Sequence, residues 1–247
     1  MVRSIRDYID ELKNQAEVEK KLKEQELQNL KMSSLLKEAE LKFLQSQINP
    51  HFLFNTLNAA SQLAMIERAE KSSEFIENIA YLFRYNLKNI EDLVPLKDEI
   101  EHVKNYMQVL KIRFGSRIEF FTDIDEDALE VKVPRLTIQP IVENAYIHGL
   151  QNLERNGEIH LNVYKDYYNV IIEIIDNGTG MDDECVKRII SSDDEALNKR
   201  HITGIGMNNV LERLEILFNI PRKELISIES KLDEGTKVTL KIPRFIY

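Results

Sequence analysis

From Val2 to Gln47 the chain contains neither glycine nor proline. Nothing in such a run turns the backbone, charges are dense, and apolar residues return at helical spacing, so the sequence predicts one long helix. Val2, Ile5, Ile9, Leu12 and Ala16 keep the alternating three and four steps of a coiled-coil seam. Glu19 and Lys23 then fall on that seam, before the pattern resumes through Leu27, Leu30, Leu36, Ala39 and Phe43. A coiled coil therefore needs local rewinding near residues 18–26, and a solvated single helix is the alternative.

Pro50 interrupts the pattern. It has no N–H for the carbonyl of Ser46 and its ring crowds that turn, a cost of about 3 kcal/mol within a continuous helix. Asn49 can instead cap a helix that restarts with Pro50 in its first position, which leaves His51 in an accessible first turn. Steps of four and three then put Gln47, His51, Asn55, Asn58 and Gln62 on one face, a row of amides around an imidazole. The other face carries Leu44, Ile48, Leu53, Leu57, Ala60 and Ala64, an apolar stripe suited to another helix. Amides fix an imidazole tautomer without competing for an electrophile. A histidine satisfied in a polar helix seam accounts for the same residues, so the row alone leaves both readings open.

Further helices are expected over about Ala69–Asn89, with Phe75, Ile79, Leu82 and Phe83 inward, and about Leu96–Phe114, ended by Gly115. Short links between them suggest antiparallel packing, and two such helices need a second copy to close a four-helix core. The pattern then changes. Arg117–Asp123, Glu130–Val133, Glu158–Tyr164 and Asn169–Ile175 read as strands, Leu136–His148 and Asp183–Ile190 as helices, and another helix begins at Ile205. Leu225–Ser230 and Thr236–Ile242 close the chain as a hairpin around Asp233-Glu234-Gly235. The expected class is α+β: a helical half, then a mixed α/β half beginning near residue 116.

Composition narrows the functions. A net charge of −9 argues against nucleic acid as the main partner, while helix ends and glycine turns can still take a nucleotide locally. Cys185 is the only cysteine, which excludes an intrachain disulfide and fits a reducing cytosol. No window approaches the run of about 18 apolar residues that marks a membrane span, and the N-terminus shows no secretory pattern.

Five of the eight glycines fall in two clusters and a hairpin of the second half. Asp176-Asn177-Gly178-Thr179-Gly180 follows an apolar strand, so Asp176 is held at a strand end while the glycines let a ligand approach the backbone. A carboxylate fixed there can accept from an exocyclic amine such as that of adenine. Gly204-Ile205-Gly206-Met207-Asn208-Asn209 opens a helix and offers free N–H groups to a phosphate. Each cluster by itself is also no more than a turn. Asn144 and His148 lie four apart on a helix, and the Asn144 amide oxygen is a hard ligand suited to Mg2+. His148 could face phosphates or serve as a helix-end charge partner.

In order, QINPHFLFNTLN, Leu82-Phe83-Arg84-Tyr85, Arg113-Phe114-Gly115, Gln139-Pro140 through Gly149, DNGTG, GIGMNN with Glu212-Arg213-Leu214, and Gly235-Thr236 resemble the sensor histidine kinases of the group named for the autolysin sensor LytS. The resemblance covers roughly residues 40–245. It implies an N-terminal signalling coiled-coil helix (1–38), a histidine-containing helical-hairpin dimerisation domain (39–115) and an α/β-sandwich, Bergerat-type ATP-binding domain (116–247). It further implies that ATP phosphorylates His51, and that an aspartate of a response-regulator receiver domain takes the phosphoryl group. Gln47, Asn55 and Asn58 would orient the imidazole. Asn144 would hold Mg2+, Asp176 would read adenine, and Gly178, Gly180 and Thr236 would shape its pocket. Gly204, Gly206 and Asn209, with His148, would border the phosphates, and Met181–Thr203 would be a lid. The expected assembly is a homodimer, in the cytoplasm, as the cytoplasmic part of a membrane-anchored sensor whose membrane segments are outside this chain.

Two positions depart from the pattern. Pro140 stands where hydrolytic members of the ATPase superfamily carry a water-activating Glu, which favours transfer over hydrolysis. Ile147 stands where related kinases commonly carry a phosphate-contacting Lys, for which His148, Lys199 or Arg200 would have to compensate. Ile147 keeps a second reading open: a nucleotide-binding pseudokinase scaffold that signals through its coiled coil.

Overall fold

The computed structural model describes residue 23 and residues 50–88, 92–115, 117–150, 156–191 and 205–244. The expected coiled coil, the Asn49 cap, Gln47, Lys199, Arg200 and Gly204 lie outside the described residues. The chain forms two compact units, residues 1–55 and 56–247.

The first described turn of helix α1 (Pro50–Ile66) carries Pro50 and His51. A three-residue link with Arg68 in the left-handed region (φ 60°) reverses the chain into α2 (Glu70–Asn86). Small side chains let the two helices approach. Ser61 and Ser73 are buried with their hydroxyls 2.9 Å apart, and Ser61 donates to Glu77 at 3.0 Å. Strand β1 (Leu93–Pro95) then leads into α3 (Leu96–Phe114), whose first turn carries Asp98 and Glu99, and the helix stops at Gly115 with φ 76°.

The sheet is built from β2 (Ile118–Ile124), β4 (Gly157–Lys165), β5 (Asn169–Asp176), β6 (Ile226–Lys231) and β7 (Gly235–Pro243). Its order is β2-β4-β5-β7-β6, parallel between β2 and β4 and antiparallel elsewhere. Strand β3 (Lys132–Pro134) pairs with β1 in a separate two-stranded ribbon. Ile159, Leu161 and Val163 alternate inward on β4, joined by Ile172, Ile174, Val238, Leu240 and Ile242. Against them pack Leu96, Ile100, Val103 and Met107 of α3, Ile141 and Val142 of α4 (Gln139–Asn144), and Val210, Leu211 and Leu214 of α6 (Ile205–Phe218). Truncating one of the buried Leu or Ile side chains among these to alanine costs about 2–5 kcal/mol, the lost burial plus the cavity left behind. Helix α5 (Asp183–Ser191) and the short α7 (Arg222–Leu225) complete the helical layer. The architecture is the expected α+β arrangement of helices followed by an α/β sandwich.

Two differences from the sequence reading bear on function. The helix expected over Leu136–His148 starts only at Gln139, since Leu136 adopts φ 55°, and residues Ala145–Leu150 widen into a π turn. Strand β3 answers to the strand expected over Glu130–Val133, but β1, only three residues long, and its pairing with β3 were not expected.

Candidate active site

Asp176 ends β5 opposite Thr236 of β7, where it is 6% exposed. Its Oδ1 accepts the N–H of Gly178 at 2.8 Å. Burial pushes the carboxyl up to about 6, with the N–H groups of Gly178 and Thr236 pulling the other way. The turn that follows is fastened on two sides. Thr179 donates its hydroxyl to the carbonyl of His148 at 3.0 Å and its N–H to that of Gly149 at 3.1 Å. On the hairpin side, Asp233 N–H reaches the carbonyl of Thr179 at 2.8 Å, and Met181 N–H reaches Ser230 Oγ at 2.8 Å.

This fastening brings backbones too close for side chains. A Cβ on Gly149 would lie 2.8 Å from Asp176 Oδ1, and one on Gly178 would lie 2.5 Å from the Cα of Gly149. The π turn supplies that contact, because its wider winding lets Gly149 settle against Asp176 while Asn144 and His148 still reach the same cavity. Such turns recur at functional sites. Gly180 has φ 66°, and a Cβ there would strike the carbonyl oxygen of Lys231. Gly180→Ala should therefore lower folding stability by about 1–3 kcal/mol, read as a drop in urea midpoint.

The cavity so formed has a volume of about 220 Å³ and is lined by Asn144, His148, Asp176, Gly180 and Thr236 together with Ile141, Ile174, Met181, Cys185, Ile189, Met207 and Val238. An apolar slot with one buried carboxylate at its wall suits a flat heteroaromatic ring that offers an amine. Gly178 stands behind Asp176 rather than in the lining. Gly206 and Asn209 lie exposed on the first turns of α6, just outside the lining, and a Cβ on Gly206 would meet Pro140 at 3.3 Å. Pro140 thus closes α4 against α6. Ile141, Met207 and the other apolar lining residues escaped the sequence reading, because pocket walls and core use the same side chains.

In the other compact unit His51 is exposed on the first turn of α1. The side-chain nitrogen of Asn55 lies 3.3 Å from its Nδ1 and 3.4 Å from its Nε2. The amide thus sits against the ring within reach of both nitrogens, and its N–H can satisfy the lone pair of either one in the neutral imidazole. Asn58 and Gln62 are exposed further along the same helix, while Leu57 and Ala60 are half-buried and Ala64 is buried.

Such a sandwich, with an aspartate and two glycine contacts shaping an apolar cavity, belongs to the nucleotide-binding ATPases. Residues 131–246 match the family described as histidine kinase-, DNA gyrase B- and HSP90-like ATPases, and residues 39–118 match the histidine kinase family. The chain belongs to the sensor histidine kinases of the LytS-like group, carrying both the histidine-kinase domain and the ATP-binding domain of a protein-histidine kinase. It is 34% identical over 224 residues to the sensor histidine kinase YesM of Bacillus subtilis, a match covering 91% of this chain and 37% of that protein. It is 36% identical over 214 residues to the sensor protein LytS of Oceanobacillus iheyensis, covering 86% and 36% respectively. The chain thus spans little more than a third of the length of these relatives. Among solved structures, the catalytic domain of the histidine kinase ThkA aligns over 63% of this chain and 98% of its own at 18% identity, with a TM-score of 0.46.

Proposed function

We propose that this chain is the kinase portion of a two-component sensor: it phosphorylates its own His51 from ATP and passes the phosphoryl group to an aspartate of a response-regulator receiver. The observation that carries the reading is the coexistence, in one chain, of the Asp176–Gly149 cavity with an exposed, amide-oriented His51. In the first step a ring-nitrogen lone pair of His51 attacks the γ-phosphorus, the bond from that phosphorus to the bridging oxygen breaks, and ADP leaves. In the second, the receiver carboxylate takes the phosphoryl group and the imidazole is regenerated. Asp176 accepts from the adenine amine, Gly180 and Thr236 bound the ring, and His148, Gly206 and Asn209 face the phosphates.

Mg2+ fits the site, since Asn144 offers a neutral amide oxygen, a hard donor, at the cavity. When bound, it would neutralise charge on the phosphates. Asn55, with Asn58 and Gln47 on the same row, orients the imidazole. The domain limits 1–38, 39–115 and 116–247 belong to this reading, as does a homodimer formed through the helical hairpin. Exposed apolar side chains at Leu63, Met65, Ile66 and Phe83 support the dimer, Ile66 being 78% exposed. No helix among the described residues is long and apolar enough to cross a membrane, and the reading places this portion in the cytoplasm, below a membrane-anchored sensor module.

A pulse with γ-labelled ATP, followed by excess receiver domain, tests the sequence of steps. Label should leave this chain and appear on the receiver as an acid-stable but hydroxylamine-sensitive acyl phosphate. Nucleotide binding with no label on either protein would instead favour the pseudokinase scaffold, which the exposed Ile147 motivates.

A further inference from the structure

Glu99 is 0% exposed, so its carboxylate depends on protein donors alone. It accepts the Tyr85 hydroxyl at 2.5 Å and the N–H groups of Leu136, Thr137 and Ile138 at 2.8, 2.7 and 3.1 Å. Those three amides precede α4, whose own N-cap residue makes no side-chain cap, so α3 caps α4 from outside. Arg213 of α6 holds the same loop from its carbonyl side, donating to Arg135 at 2.6 Å and Leu136 at 3.0 Å. His102 Nε2 lies 2.5 Å from the side-chain oxygen of Gln139, the first residue of α4, and its ring stacks on Tyr85 at 4.0 Å. The Arg135 guanidinium also lies over the Tyr85 ring, 4.7 Å from its centre.

Tyr85 is the α2 member of a cluster whose other members all set how the chain enters α4. That helix has only six residues, ending at Asn144, and leads directly into the π turn that presses Gly149 on Asp176. A displacement at its first turn has no length in which to relax before it reaches the cavity.

We propose that Tyr85 is a positioning residue for the nucleotide cavity: its hydrogen bond to Glu99 ties the last turn of α2 to the start of α4, and so couples α2 to nucleotide held beside Asn144. The inference rests on the nucleotide reading given above. Coupling of this kind is reciprocal, so nucleotide must be felt in α2. Tyr85→Phe removes the hydroxyl and keeps the ring that stacks on His102 and Arg135.

Hydrogen exchange of the full chain with and without a non-hydrolysable ATP analogue decides it. In the unmodified protein the analogue should slow exchange at residues 81–88 as well as around the cavity. In Tyr85→Phe the analogue should bind within about threefold of the original affinity, the slowing at 81–88 should vanish, and the kcat of self-phosphorylation should fall about tenfold at unchanged KM. Glu99→Gln should lose the same slowing, and Tyr81→Phe should keep it. Slowing at 81–88 that persists in Tyr85→Phe, or that is missing from an unmodified protein with analogue bound, overturns the coupling. An unmodified protein that binds no analogue overturns the nucleotide reading itself, an outcome visible in the binding curve before exchange is measured.

Discussion

Asp176→Asn is expected to weaken ATP binding at least about thirty-fold, roughly 2 kcal/mol, while leaving the empty protein folded. Asp176 Oδ1 is committed to the Gly178 N–H at 2.8 Å. In the variant the amide oxygen must take that bond, which turns the NH2 toward the cavity and sets a donor against the donor amine of adenine. A charge-assisted bond of about 1.5–3 kcal/mol is lost and a polar conflict replaces it. Stability should move the opposite way. The folded carboxyl is pushed by burial to about 6, above its ordinary 3.8, so the folded state holds more protons than the unfolded chain between those values. Stability of the nucleotide-free protein therefore falls as pH rises from about 4 to 6, by something on the order of 2 kcal/mol. Asp176→Asn should flatten that slope in urea midpoints measured across pH 4–7.5 and be the more stable protein at pH 7.5. Unchanged ATP affinity in the variant would remove Asp176 from base recognition.

The second large effect is expected at His51. His51→Gln should abolish acid-labile label from γ-labelled ATP, a loss of more than about a thousand-fold, with ATP affinity unchanged. Glutamine keeps the polarity of an exposed position but its amide nitrogen has no lone pair free to attack phosphorus. Asn55→Leu separates orientation from chemistry: the imidazole remains while the amide 3.3 Å from Nδ1 is gone. Its phosphorylation should slow about tenfold, the scale of losing one orienting contact, again at constant affinity. An unaffected rate would take Asn55 out of the mechanism.

Much of the mixed half is legible because local chemistry decides it. Alternating Ile159, Leu161 and Val163 can only be a strand with one face covered, and Asp233-Glu234-Gly235 forms the closing turn with Asp233 at φ 63° and Gly235 at φ 113°. DNGTG and the helix-opening GIGMNN point to a ligand through the same logic, and Asp176, Gly180, Thr236, Asn144 and His148 do meet in one cavity. What local patterning misses is set from far along the chain. The late start of α4 follows from Glu99, 37 residues before Leu136, taking amides that would otherwise extend the helix. The π turn answers to the approach of Gly149 to Asp176, a contact between α4's continuation and the end of β5. Periodicity likewise shows that α3 has an apolar stripe, but not that the sheet covers Leu96, Ile100 and Val103.

The most direct test is to locate the phosphoryl group itself. After incubation of the full chain with ATP and Mg2+, neutral-pH digestion and electron-transfer fragmentation should show a single phosphate on the imidazole of His51, and none in a sample prepared from His51→Gln. Phosphate on any other residue, or an unmodified His51 in protein shown to hold ATP, would contradict the assignment of His51 as acceptor.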